Sequence, residues 1–319
     1  MTGTIVDVPG VRVGHAEDKE ALTGCSVVLL DQASICGVDV RGSAPGTRET
    51  DLLNPINTVD VVHAICLTGG SAYGLDAAAG VMQWLGEQGR GLDVGFGLVP
   101  IVPAAVLFDL PLGDGRVRPD RRMGYQACVN ATDQAVPMGN AGAGLGATVG
   151  KMNGFSSAMK GGLGSASRKL PNGLVVGAIV AVNALGHVID PQTLEILAGP
   201  RNEQGEILDS VELMIRRYHP LIPPGSNTTI AVVASNARLT KSQATKVAQM
   251  AHDGLARTIR PVHTTADGDT VFAVATGEME AAVDLIGTLS ADVLAEAVVQ
   301  AVKQATAAGG LPAWRDLAR

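Results

Sequence analysis

The run VHAICLTGG (62–70) is apolar on consecutive residues and ends in two glycines. A strand with one face in water would alternate, so this one is expected to be buried on both faces. TTIAVVAS (228–235) reads as a second buried strand, GLVVGAIVAVNALGHVID (173–190) as strong β sequence, and DTVFAVATG (269–277) as another strand. Strands covered on both sides require layers above and below the sheet. SAYGLDAAAGVMQWLGEQGRG (71–91) places Leu75, Ala78, Ala79, Met82 and Leu85 at three- and four-residue steps, with Gly86 or Gly89 near its end. LTKSQATKVAQMAHDGLARTI (239–259) turns Ala244, Val247, Ala248, Ala251 and Leu255 to one side, and SADVLAEAVVQAVKQATAA (290–308) is a closing helix with Ser290 as its N-cap.

The remaining segments are shorter. CSVVLLD (25–31) and ICGVDVRG (35–42) read as two strands joined by a turn, and PAAVLFDL (103–110) as a strand. Residues 110–140 are turn-rich, GNAGAGLGATVGKMNG (139–154) and MKGGLGSASRKL (159–170) read as glycine-dense loops, and 191–226 as a polar surface excursion. Repeats and linkers are not evident, so the expectation is one layered α/β domain over 1–319. Apolar residues make up 46% of the chain against 17% charged, which is ample for a large core. Aromatics are 3%, so Ala, Val, Leu and Ile must build that core.

Charge and motif content narrow the function. A net charge of −7, no basic run and few aromatics argue against nucleic acid as a partner. The N-terminus lacks a charged-then-apolar signal pattern and no uninterrupted apolar run approaches a membrane span, so the expected location is cytoplasmic, without membrane association. Cys25, Cys36, Cys66 and Cys128 form no C-x-x-C pair and read as buried free thiols, and the six histidines show no zinc-binding spacing, so no metal or cofactor is expected. Gly142-x-Gly144-x-x-Ala147 has the looser dinucleotide-loop spacing, but poor strand sequence precedes it; backbone N–H groups lining a pocket is the better reading. LTGGSAYGLD has the outline of a nucleophile elbow around Ser71 without the G-x-S-x-G spacing, and helix-start packing is its plainer reading.

Two stretches carry more. Asn227-Thr228-Thr229 stands where a loop with Pro223, Pro224 and Gly225 gives way to a buried strand. It matches a glycosylation sequon, a turn-to-strand junction and a hydroxyl nucleophile alike. Asp267-Gly-Asp269 sets two carboxylates on one face at a strand start, where they repel unless a cation or a shared proton intervenes; a common Asp-Gly-Asp turn is the alternative.

Together VPGVRVGHAED, TGCSVVL, GVDVRGSAPGTRETDLL, LTGGSAYGLDAAAGV, GNAGAGLGATVGK, KGGLGSAS, NTTIAVVAS and DGDTVFAVATG run in family order over nearly the whole chain. In these motifs the chain resembles the self-processing aminopeptidases of the DmpA type, the β-peptidyl aminopeptidases and the nylon-oligomer hydrolases. The resemblance implies an αββα sandwich and a precursor that cuts itself between Asn227 and Thr228. The products would be a large subunit 1–227 and a small one 228–319. It implies Thr228 as nucleophile, where the aminopeptidase branch has Ser, so the nylon-oligomer hydrolase branch fits best; the Asp267/Asp269 pair matches that branch too. It further implies Asn183 as oxyanion donor, Lys151 as a site lysine with Lys160 as rival, and Tyr125 as a site tyrosine with Tyr73 as rival. Substrates would be small peptides with a free amino end, β-peptides or 6-aminohexanoate oligomers. The assembly would be a homo-oligomer, commonly a tetramer of processed heterodimers. Two alternatives stand beside this: acetyl transfer of the ornithine acetyltransferase kind, and an uncut, non-enzymatic ligand-binding relative.

Overall fold

The computed structural model describes residues 3–217 and 225–317; Pro223 and Pro224 lie outside them. The first part of the chain forms β1 (Val11–Asp18), β2 (Thr23–Val40), β3 (Thr47–Arg48), β4 (Val61–Thr68), α1 (Ala77–Glu87), β5 (Leu92–Asp93), β6 (Leu98–Val99), β7 (Ala104–Val106) and α2 (Arg121–Val129). The middle adds β8 (Thr148–Val149), β9 (Met159–Lys160), β10 (Gly162–Lys169), β11 (Val175–Asn183), β12 (His187–Ile189), β13 (Ile196–Ala198) and α3 (Ser210–Arg217). The last part is β14 (Thr228–Ala237), α4 (Lys241–Thr258), β15 (Ile259–Arg260), β16 (Thr270–Met279) and α5 (Val283–Gln304).

Nine strands are hydrogen-bonded together: eight in the order β10-β11-β14-β16-β2-β4-β7-β3, and β1 beside that path on β2. The path folds over itself at β2. Its first half pairs with β1 and β4, while residues 35–40 pair with β16. The β2–β4 register shifts between Leu29 and Ser34, and such irregularities let a strand bend from one sheet into another.

Three apolar clusters mark the layer boundaries. Ala77, Ala78, Val81 and Leu85 of α1 and Ala127 of α2 pack on Val27, Leu29 and Ala64. Val28, Leu30, Ile65 and Leu67 face Ile179, Ile230, Val232 and Phe272 between the two sheet halves. Val180, Val182, Val233 and Ala273 meet Val247, Leu255, Val298 and Val302 of α4 and α5. The order of layers is therefore helix, sheet, sheet, helix, as the resemblance implied. The double-sided burial read from VHAICLTGG holds: Val62 to Thr68 are all buried.

Several local expectations are corrected. CSVVLLD and ICGVDVRG are one 18-residue strand whose polar centre, Asp31 to Ala33, is exposed. The turn-rich segment 110–140 contains α2, capped by Asp120, whose side chain accepts from the Met123 N–H at 2.9 Å. GLGSASRK is not a loop but strand β10, and its small residues have a reason: a Cβ on Gly164 would lie 1.9 Å from the Ala297 carbonyl of α5. The excursion 191–226 holds β13 and α3. Ser290 lies buried inside α5, which starts seven residues earlier, and so does not cap it. That helix is long and apolar enough to cross a membrane by length and composition, but 72% of its most apolar window is buried in the fold.

Candidate active site

The sheet topology brings three chain segments to one edge. β14 and β16 run parallel, with Ile230 opposite Thr270, so both begin at the same end. β11 runs antiparallel to β14 and finishes there, with Asn183 opposite Thr228. Asn227 forms a parallel bridge with Asp267 just before the two strands start. The sequence separation of these residues is large, but the register leaves them side by side.

Thr228 is 3% exposed. Its Oγ1 donates to the carbonyl oxygen of Asn227. The Gly268 N–H also donates to that oxygen, at 3.0 Å. The Asn227–Thr228 peptide is thus polarised by a backbone donor while the adjacent hydroxyl lies against it. Gly268 also clears room: a Cβ there would stand 2.9 Å from Thr228 Oγ1 and 2.7 Å from the Ala44 carbonyl.

Asn183 is held on both ends of its amide. Its Oδ1 accepts from Lys151 Nζ at 3.0 Å, the Thr148 N–H at 3.0 Å and Thr148 Oγ1 at 3.2 Å. Three donors converging on one atom fix which end is oxygen. Nδ2 donates to the Phe108 carbonyl at 3.0 Å and keeps a second hydrogen. Lys151 Nζ also donates to the Asn183 carbonyl at 3.0 Å. Burial pulls the Lys151 ammonium down to about 7, with Lys160 lowering it further and Asp267 and Asp269 opposing.

Asp269 Oδ1 accepts from the Thr229 N–H at 2.6 Å, and its Oδ2 from His263 Nδ1 at 2.8 Å and the His263 N–H at 3.1 Å. Asp267 Oδ2 accepts from the Thr264 N–H at 2.8 Å and Thr264 Oγ1 at 2.5 Å. Both carboxylates are buried. Burial, then the charge of Asp269, raises Asp267 to about 6, against the pull of the Thr264 donors. The paired repulsion read from Asp-Gly-Asp is therefore present, and Lys151 is the cation that offsets it.

The structure thus gathers Thr228, Asn227, Asn183, Lys151, Asp267 and Asp269. It does not gather the tyrosines. Tyr125 sits on α2 with its hydroxyl donating to Glu87 at 2.7 Å on the outer helix pair. Tyr73 is 63% exposed under the Arg118 guanidinium. Lys160 is buried, but its Nζ donates to the Leu145 and Ala147 carbonyls, not to Asn183. The glycine loop at 142 lines no pocket through its first amides: Gly142 N–H donates to Glu17 and Ala143 N–H to Ser26 Oγ. Ser71 opens a short 3-10 turn at a left-handed φ of +53°, and no histidine or carboxylate bonds to it among the described residues. All four cysteines are buried free thiols. Among the described residues no metal-ligating cluster is found.

Thr148, Phe108, His263, Thr264 and Gly268 escaped the sequence reading. Thr264 had a legible signal, since Thr three residues before Asp in a turn hydrogen-bonds in this way. Phe108 acts through its backbone carbonyl, where side-chain identity carries no signal; Gly268 is needed for its missing side chain, but a glycine between two aspartates reads equally as a plain turn.

The profile of Peptidase family S58 matches residues 3–313. An uncharacterized aminopeptidase of Mycobacterium tuberculosis is 43% identical over an alignment 343 positions long, covering 98% of this chain and 97% of that protein. A 6-aminohexanoate-oligomer endohydrolase of Kocuria sp. is 32% identical over 315 residues, covering 93% and 85%. The solved L-aminopeptidase D-Ala-esterase/amidase of Ochrobactrum anthropi superposes with a TM-score of 0.73 at 20% identity, covering 98% and 90%, and is described as a variant of the Ntn hydrolase fold. The layered architecture is the same.

Proposed function

The chain belongs to peptidase family S58 and hydrolyses amide bonds, and on that premise we propose that it cuts its own Asn227–Thr228 bond and then works through the freed Thr228. The observation that carries this is the hydroxyl of Thr228 against a carbonyl already polarised by the Gly268 N–H. Attack of Oγ1 on the Asn227 carbonyl carbon forms an ester as the C–N bond breaks, and the hydroxyl proton ends on the departing Thr228 nitrogen. Water then hydrolyses the ester, leaving an Asn227 carboxylate and a free Thr228 amine.

That amine supplies what the uncut chain lacks. A threonine hydroxyl is a weak nucleophile without a base. An α-amine, with a pKa near 8 in model peptides, serves as one. It takes the Oγ1 proton as the hydroxyl attacks a substrate amide and passes it to the leaving amine; water resolves the threonyl ester. The free hydrogen on Asn183 Nδ2 would stabilise the oxyanion, an interaction typically worth about 3 kcal/mol. Lys151 holds Asn183 by both oxygens and offsets the two carboxylates, while Asp267 and Asp269 receive the new ammonium group.

The substrates proposed are short peptides with a free amino end and 6-aminohexanoate oligomers, the two classes named among the relatives. Their shared chemistry is an amide bond in a chain that ends in a cationic amine. The test is acid-quenched turnover of a dipeptide and of the 6-aminohexanoate dimer, followed by peptide mapping. The acyl mass is expected on Thr228, and Thr228→Ala should lower turnover by at least about a thousandfold. Acyl mass on another residue, or a Thr228→Ala enzyme that still turns over, would contradict the assignment.

A further inference from the structure

The two carboxylates beside Thr228 are not held alike. Among the described residues, the Asp267 side chain is held by Thr264, through one oxygen. Asp269 is gripped from two sides: Oδ2 takes both the backbone N–H and the ring Nδ1 of His263, while Oδ1 takes the Thr229 N–H. His263 itself adopts a left-handed φ of +56°. Non-glycine residues rarely do so, and asparagine is among the most tolerant of the rest. In that conformation the amide and ring of one residue converge on one oxygen.

Behind His263 stands a second ring. His252, on α4, meets it edge-on with centroids 4.7 Å apart and planes at 74°. His252 is buried, and its Nε2 lies 3.0 Å from the Asp39 carbonyl. A carbonyl only accepts, so the His252 proton is on Nε2. Burial lowers His252 to about 4, so its ring is neutral at neutral pH. The other charged groups on this side are the Asp39 carboxylate, 3.4 Å from His252 Nε2, and Arg41, whose Nε bonds Asp39 at 2.6 Å. Asp267 and Lys151 flank Asp269 from the site side. Among the described residues His263 Nε2 is buried without a partner, and Nδ1 is the ring nitrogen that meets the Asp269 carboxylate.

We propose that His263 is a positioning residue that locks one oxygen of Asp269 so that the other faces the Thr228–Thr229 segment, with His252 as the wall that holds its ring. The functional part of this rests on Thr228 being the nucleophile. A carboxylate gripped on one oxygen presents the other in a fixed direction. One peptide from Oδ1 lies the nitrogen that becomes the catalytic amine. Its orientation and basicity then depend on His263, which touches neither substrate nor nucleophile.

Two substitutions separate ring from backbone. His263→Asn keeps an N–H donor near the Nδ1 position and tolerates the left-handed backbone. His263→Gly keeps the backbone and removes the donor. Each is made in the uncut Thr228→Ala chain, and the carboxyl carbons of the Asp267/Asp269 pair are titrated by NMR. Losing a donor to the charged form disfavours it, so Gly should raise the pair's midpoint by about one pH unit, and Asn should leave it near the parent value. In the cleavable chain, Gly should lower kcat about tenfold with little change in KM, and Asn should restore most of it. A midpoint that is the same in all three chains, or Asn and Gly behaving alike, overturns the proposal. The titration requires neither cleavage nor turnover. A shifted midpoint in a chain that never cuts or hydrolyses an amide would keep the grip of His263 and refute the nucleophile instead.

Discussion

At the residue scale the site is a problem of buried charge. Lys151 and Asp267 are both displaced toward their neutral forms by burial, to about 7 and about 6. For Asp267 the sign is fixed: a carboxyl raised in the folded chain binds more protons there than in the unfolded chain between about pH 4 and 6. Its stabilising contribution is therefore present below about pH 4 and lost as the pH rises through about 6. Asp267→Asn, which keeps an acceptor for Thr264, should match the parent at pH 4 and exceed it by a few degrees in Tm at pH 8. Thermal unfolding in the Thr228→Ala background, where no new ammonium forms, measures this; a variant less stable at pH 8 contradicts it. The sequence made the pair visible because two acids at i and i+2 share a face. It gave no sign of His263, because a histidine at a left-handed position six residues upstream follows no periodicity. Tyr125 was drawn from the resemblance alone, and the structure sets its hydroxyl on Glu87.

At the element scale the strands were the legible part and the boundaries the illegible one. Uniformly apolar runs such as VHAICLTGG and TTIAVVAS admit one reading, burial on both faces. β2 misled because Asp31, Gln32 and Ala33 look like a turn, whereas they are the exposed middle of a strand that bends between two sheet halves. β10 misled because its glycines serve close packing under α5 and not chain reversal. The segment that brings most groups up to Thr228 is the turn Thr264–Asp269. It delivers both carboxylates and the Gly268 N–H to Thr228, and it has no room for a side chain at Gly268. Gly268→Ala should push the turn off its position and slow chain cleavage at least about tenfold, since a lost or displaced donor at a developing oxyanion costs several kcal/mol. A time course of cleavage after expression, followed by mass, decides it; unchanged kinetics would remove Gly268 from the account.

At the scale of the whole molecule, the four layers explain why residues 183, 228 and 269 meet. The antiparallel β11–β14 pair and the parallel β14–β16 pair force the end of one strand and the starts of two others to a single edge. No local pattern in the sequence contains that fact; it follows only from strand order, which neither periodicity nor the layered sandwich implied by the resemblance specifies. The same architecture buries Thr228 in the uncut chain, so the account requires the Asn227–Thr228 bond to open before substrate is hydrolysed. The most direct test is the intact mass of the purified protein under denaturing conditions. Two pieces of roughly 23 and 9 kDa, scaled from residue counts, are expected, the smaller beginning Thr-Thr-Ile, with one uncut species for Thr228→Ala. A wild-type chain that remains a single 32.6 kDa species while hydrolysing amides would contradict it.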